Sequence, residues 1–289
     1  MLTDFPNGIT SFGKILPDGA FCTGNVYYSI PSTETFYQDF LNKHQIIYDD
    51  GSKSVYNTPQ AAIDACLATR GDIVVIIGSY TITTPILVNK KGVHIVGVNP
   101  KYSSTGGATS ITSAVNDSAV FTVSVDDVTM SDIRMTCSSG TGTVIGIDMS
   151  GVALNNCVFK NMRILKSSGT DNNGIAIKAG SPTSCTFENI LIEGASGKEW
   201  ASGLLIVAGN GLLVKGLHVS GVNATGITDA ASTNCVYRDL VIGSDVGVGT
   251  EITGATSVLI NSRNFAASEG TSTAKQANIL NDGQNVSPA

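Results

Sequence analysis

CVFKNMRI at residues 157–164 is followed by CTFENILI at 185–192, LLVKGLHV at 212–219 and CVYRDLVI at 235–242. The series extends backward to VTMSDIRM at 128–135 and to a weaker VHIVGV at 93–98, and forward to VLINSRNF at 258–265. Successive copies begin 35, 29, 28, 27, 23 and 23 residues apart. Self-similarity at such a period is the mark of a stacked-repeat architecture.

Alternate residues of a strand point to opposite faces. Positions one and three of each copy form two apolar columns. The first is Val128, Cys157, Cys185, Leu212, Cys235 and Val258; the second is Met130, Phe159, Phe187, Val214, Tyr237 and Ile260. Position five is Gly97, Asp132, Asn161, Asn189, Gly216, Asp239 and Ser262. Gly, Asn and Asp best tolerate left-handed backbone, so a tight bend is expected there. The inward phase resumes with Ile133, Met162, Ile190, Leu217 and Leu240. A second motif, Gly146-Ile147, Gly174-Ile175, Gly203-Leu204 and Gly226-Ile227, supplies a third strand per copy. Three strands and three bends in about 23 residues make one coil of a parallel β-helix. A propeller blade needs roughly 40 residues, and sandwich hairpins lack a column of aligned bend residues. The expected fold is therefore all-β: a single-stranded right-handed parallel β-helix of about seven coils with an N-terminal capping α-helix.

Composition agrees. Charged residues are 14% of the 289, with 32 glycines, which suits short strands and turns better than helices. A net charge of −6 argues against a nucleic-acid face. There is no apolar run of 18 residues to span a membrane, and MLTDFPNGIT does not have the form of a signal peptide. The six cysteines, at 22, 66, 137, 157, 185 and 235, include no CxxC pair, which makes zinc an unfavoured reading. Three of them share one inward column, where Cys acts as a small hydrophobe, and synthesis in a reducing compartment is expected.

The chain divides into four parts. Residues 1–30, with little periodicity, form an arm or attachment segment. Residues 31–71 form a capping region. Its helix has Thr58 as N-cap, Pro59 at the first turn, Gly71 beyond the end, and Ala62, Ile63, Cys66 and Leu67 on one face. Such a helix is suited to cover the open end of a solenoid. Residues 72–265 are the coils, and 266–289 a polar tail.

The order DDGSKSVYNTPQAAIDAC, then GDIVVIIGSYTITTPILV, then stacked coils resembles the pectate-lyase-like β-helix superfamily. It is most similar to phage members, whose helix lid precedes a G-x-Y-x-I first coil, here Gly78-Ser79-Tyr80-Thr81-Ile82. The opening FPNGITSFG resembles short N-terminal segments of phage virion proteins. The fold hosts lyases, hydrolases and inert fibres, so function rests on the site.

Pectate lyases of this superfamily use a calcium-binding carboxylate cluster and a basic residue. The galacturonase-like branch uses Asn-Thr-Asp, Asp-Asp, Gly-His-Gly and Arg-x-Lys. Of these, only a bare Asp126-Asp127 matches, and it falls where other coils carry the polar turn pairs Asn155-Asn156, Thr183-Ser184 and Thr233-Asn234. A glycosidase needs two carboxylates about 5 to 10 Å apart. The outward column Asp148, Ala176, Leu205, Thr228, Glu251 sets its acids four rungs, about 19 Å, apart. The column Lys160, Glu188, Lys215, Arg238 reads as a salt-bridge ladder. Asp229 aligns with inward Met149, Ile177 and Ile206, and Glu188 and Glu193 flank one bend but project differently. His44, His94 and His218 have no dyad partner in sequence; His218 lies outward with Arg134, Arg163, Leu191 and Val241. Trp200 sits in an insert, placed to anchor a subunit contact or stack on a sugar.

No catalytic, cofactor-binding or metal residue is assigned, and no cofactor is expected. The expected function is a structural phage virion protein, a non-catalytic capsid-surface decoration or head-fibre subunit. A tailspike-like depolymerase or a glycan-binding module is the alternative. Expected partners are two further copies in a homotrimer, through outward Leu191, Leu205 and Leu213, and the major capsid protein or another virion protein through residues 1–30. A host surface glycan is a further candidate partner; nucleic acid and membrane are not. The expected location is the virion, at the capsid surface, after synthesis in the host cytoplasm.

Overall fold

The computed structural model describes residues 10–11, 14–15, 24–98, 109–114, 118–138, 143–167, 174–254, 256–268, 270, 275–277 and 280–281. Most of the expected arm, and Cys22, lie outside them. Thr10–Ser11 and Lys14–Ile15 form a short antiparallel pair.

From Val26 onward the described sheet strands pair in parallel and stack as a solenoid of about seven turns. Each coil contributes to three faces. The first carries the start of each signature copy, as in Thr129–Ser131, Leu213–Lys215 and Val236–Arg238. The second carries its end, as in Arg134–Cys137 and Val241–Ile242. The third is a separate sheet of seven strands from Ile86–Val88 to Val246–Ile252. The inward columns form one continuous core through Met130, Phe159, Phe187, Val214 and Tyr237, all fully buried. Phe159 and Phe187 stack on successive rungs with ring centroids 5.4 Å apart.

The bends explain the polar residues inside each signature. Asp132, Asn161, Asn189, Gly216 and Asp239 all have φ between 52° and 63°. Asp127, Asn156, Ser184, Gly211 and Asn234 form a second left-handed column one residue before each signature copy. Asn and Asp occupy such backbone at lower cost than other side chains, and their amides and carboxylates bond up and down the stack. Asn189 Nδ2 donates to Asn161 Oδ1 at 3.3 Å, and Asn261 Nδ2 to Asp239 Oδ1 at 2.7 Å.

Several expected registers are corrected. The last copy slips by one residue: Val258 pairs with Val236 and Leu259 with Tyr237, so Ser257 and Leu259 face inward and Val258 and Ile260 do not. Asn261, not Ser262, takes the left-handed bend, with φ 49°. The run Val258-Leu259-Ile260 has no polar alternation to fix its phase. At the other end, Gly97 is absent from the left-handed set. In the third face Ile175 pairs with Ile145 and Ile177 with Ile147, two residues from the expected alignment. A slip of two keeps every side chain on its face, so alternation alone does not detect it.

Two helices precede the regular coils. In α2 (Pro59–Ala65), Thr58 Oγ1 accepts from Ala61 N–H, and Ala62, Ile63 and Cys66 join the solenoid core. Leu67, expected on that face, is exposed, because the helix ends at Ala65; Gly71 is left-handed well past that end, at φ 75°. The sequence pattern does not mark the first helix, α1 (Tyr37–His44). Its Phe40 packs with Ile30 and Val55 over the outward side of Ile73, Val75 and Ile77. The strand Ile73–Ile76 is thereby buried on both sides.

Val26–Ser29 pairs with Ile73–Ile76, so the segment expected as an arm ends in a solenoid strand. Within the expected tail, Lys275–Ala277 and Leu280–Asn281 pair with Val258–Ile260 and Arg263–Asn264 and continue the stack.

Candidate functional surface

The acids offered by the sequence serve as ties between rungs. Asp126 Oδ1 accepts from Asn155 N–H at 2.8 Å, and Asp127 Oδ1 from Asn156 Nδ2 at 3.0 Å. Lys91 Nζ lies 3.6 Å from Asp126 Oδ2 and 3.3 Å from Asp127 Oδ2. The Asn155 backbone donor, more than Lys91, lowers the Asp126 pKa. Both carboxylates are thus ties in a turn ladder, bonded to the next rung and to Lys91.

The outward column of the third face reads Asp148, Lys178, Leu205, Thr228, Glu251; Lys178 takes the place expected for Ala176, which is buried. Asp148 Oδ1 accepts from the Ser150 N–H and hydroxyl, and Glu251 stands four rungs away, within 3.5 Å of Thr225 Oγ1. The two acids do not meet. On the first face Lys160, Glu188, Lys215 and Arg238 align on successive rungs, with an ion pair of 2.9 Å between Lys215 Nζ and Glu188 Oε1. Glu193 pairs instead with Arg163.

Asp229 is inward and fully buried, stacked between Ile206 and Ile252; its expected neighbour Ile177 gives way to Ala179. Its carboxylate accepts from Tyr237 OH at 2.6 Å and from Ser232 N–H at 3.0 Å. Burial, then the adjacent Asp229 charge, raises the Tyr237 pKa well above the usual phenol range.

Trp200, expected at a surface insert, is fully buried. Its Nε1 donates to Glu193 O at 2.9 Å, and Lys166 Nζ lies 5.8 Å from its ring centroid. Gly174 pairs with it on the neighbouring rung, and a Cβ there would lie 2.8 Å from the indole. The glycine that suggested a repeat motif thus makes room for the ring. The size of the side chain was the available signal, since a lone Trp in a long insert is also a natural core plug.

The histidines lie apart. The His44 ring packs 4.3 Å from that of Phe40. His94 is half-buried, which depresses its pKa, with Lys160 adding to the effect. His218 is exposed on the column Arg134, Arg163, Leu191, His218, Val241. With Asn161, Asn189, Ile190, Leu191 and Gly216 it lines an open hollow of about 340 Å³ at the bend between the first and second faces. Gly216 has no side chain and so leaves a notch in the bend ladder. Leu205 and Leu213 face outward and are half-buried.

Among the described residues there is no cluster of three His, Cys, Asp or Glu placed to hold a metal ion, and no helix long and apolar enough to cross a membrane.

No protein-family model matches the chain, and no curated protein does. Among solved structures, ORF18 of Geobacillus virus E2 is a distant neighbour, at 11% identity and a TM-score of 0.32. The match covers 77% of this chain and 56% of that one, so the chain spans little more than half of its length.

Proposed function

We propose that this chain is a structural subunit of a phage virion, a capsid-surface decoration or head-fibre protein without catalytic activity. The supporting observation is the use made of its carboxylates. Asp126, Asp127, Glu188, Glu193 and Asp229 are each bonded to a residue that locks a bend, a rung or the core. A hydrolase or lyase needs acids free to exchange protons or hold a cation beside substrate. Here they rigidify a rod. In this reading α2 is the lid of the first coil, three copies assemble through outward Leu191, Leu205 and Leu213, and residues 1–30 dock to the major capsid protein or another virion protein. The resemblance of the opening segment and first coil to phage virion proteins supports the location.

The test is a count of copies per purified particle by quantitative mass spectrometry, with cross-linking to identify neighbours. The expected result is many copies, cross-linked to capsid protein through residues 1–30. Release of reducing or unsaturated sugar from host capsule, lost on Asp148→Asn or Glu251→Gln, would replace the proposal with a tailspike-like depolymerase. The hollow at Asn161, Asn189 and His218 favours a second reading, a glycan-binding module. Saturable binding of capsule oligosaccharide, abolished by Asn189→Ala with His218→Ala, would establish it.

A further inference from the structure

The first inward column sets Cys157 and Cys185 on successive rungs, since Val158 and Thr186, the next residues, pair directly. Both cysteines are fully buried, and neither is in a disulfide. The Cys157 N–H donates to Cys185 Sγ at 3.3 Å. A rung spacing of about 4.8 Å falls inside the Cα–Cα range of a disulfide, about 4.4 to 6.8 Å. Cys235 shares the column but is separated from Cys185 by the Leu212 rung, about 9.6 Å for two steps. Cys66 ends α2 and Cys137 lies on the second face. The pair sits one layer under an exposed bend: Cys157 Sγ is 3.6 Å from Asn155 O and 3.7 Å from Val125 O.

We propose that Cys157 and Cys185 are a peroxide-oxidisable pair that closes into a disulfide between adjacent rungs. Cys185 is the attacking group, because its sulfur accepts the Cys157 amide; the facing Cys157 thiol, then this amide, lower its pKa against the opposing effect of burial. The thiolate, not the thiol, is the nucleophile. The Cys185 thiolate attacks one oxygen of hydrogen peroxide and the O–O bond breaks. The departing hydroxide takes the proton of the Cys157 thiol and leaves as water. Cys185 is then a sulfenic acid. The Cys157 thiolate attacks the Cys185 sulfur and the S–O bond breaks. Hydroxide departs and takes up the proton released when Cys185 ionised. Two thiols and one peroxide give one disulfide and two waters; sulfur is oxidised and peroxide oxygen reduced. The bond would close a loop through one whole coil and restrict the unfolded chain. A protein made reduced in a cytoplasm would gain this staple only after meeting an oxidant. The inference stands apart from the virion reading, since it rests on the core alone.

The experiment uses the full chain, reduced, desalted and treated with a small excess of hydrogen peroxide. It is then denatured in alkylating reagent and mapped by mass spectrometry. The expected result is loss of two of the six alkylatable thiols, a mass lower by two hydrogens, and one cross-link joining Cys157 to Cys185. Dithiothreitol should restore both thiols, and the melting temperature of the oxidised form should be higher. In Cys157→Ala, Cys185 should stop at a sulfenic acid that dimedone captures, a signature that packing alone would not give. Six thiols surviving peroxide, sulfinic acid at one cysteine of the unmodified chain, or a link through another cysteine would overturn the proposal. If the variant does not fold, the map of the unmodified chain decides alone.

Discussion

Asp72 and Asp229 are both buried carboxylates, one near each end of the solenoid, and they are held in opposite ways. Asp72 receives the Asn25 and Leu67 amides at 2.7 and 2.8 Å and the Arg70 guanidinium at 2.6 and 2.8 Å. Arg70 reaches outward to Asp50 at 2.8 Å and to Tyr27 OH at 2.6 Å. One charged lock thus ties the strand Val26–Ser29, the helix end and the first coil together. Among the described residues Asp229 receives neutral donors, Tyr237 OH and Ser232 N–H. Beyond it the core turns polar, with Ser257 and Ser262 buried where the preceding coil buries Cys235 and Leu240. In the same rung geometry a buried carboxylate is therefore held by an ion pair near one end and by neutral hydrogen bonds near the other. The difference follows from access. A guanidinium can pair inside and still touch water at the N-terminal end, whereas an inward acid in a coil meets only its neighbours in the stack.

The mid-solenoid core sets the scale for both ends. Phe159→Ala should destabilise by about 3 to 5 kcal/mol in denaturant melts. Asp72→Asn should come next, at about 3 kcal/mol, because Arg70 and two amides lose a buried anion. Tyr237→Phe should cost about 1 to 3 kcal/mol, the penalty for leaving a buried carboxylate short of a donor. A larger loss for Tyr237→Phe than for Asp72→Asn would invert the contrast between the ends. Lys160→Ala, one residue from Phe159 but outward, should cost under about 1 kcal/mol; a loss equal to that of Phe159→Ala would mean that the faces are reversed.

The smallest effect is one of pH. Hydrogen bonds from Ser52, then Arg70, lower the Asp50 pKa from 3.8 to about 2. A carboxylate whose pKa is depressed by folding contributes stability that is fully present above its unfolded value and is lost as pH falls through its folded value. Asp50 therefore supports the N-terminal lock at neutral pH and releases it between roughly pH 4 and pH 2. Asp50→Asn should flatten the melting temperature over that window. A slope unchanged by the substitution would remove Asp50 from the lock.

The coils were legible because their inward columns alternate and their bends need Asn, Asp or Gly. Both signals are local and repeat. Where they fade, so did the reading. Val258-Leu259-Ile260 lacks alternation, and its phase was set by Ser257 and Asn261 instead. Gly174 reads as a repeat mark along the chain but makes room for Trp200, a contact on the next rung. Helix α1 has a mixed pattern around one buried Phe40, and its place depends on the outward side of Ile73, Val75 and Ile77. The columns place Glu188 beside Lys215 and Asp126 beside Asn155, as observed, but do not reveal Arg163 as the partner of Glu193, which depends on side-chain reach.

The bend ladders make the molecule a ruler. Each coil bonds to the coil before and the coil after, so height grows in steps of about 4.8 Å. Adding or deleting one unit of 23 residues, the spacing from Leu212 to Cys235, would change length by one graduation and leave every other rung its own neighbours. Length is then a quantity that duplication can tune without redesigning the core.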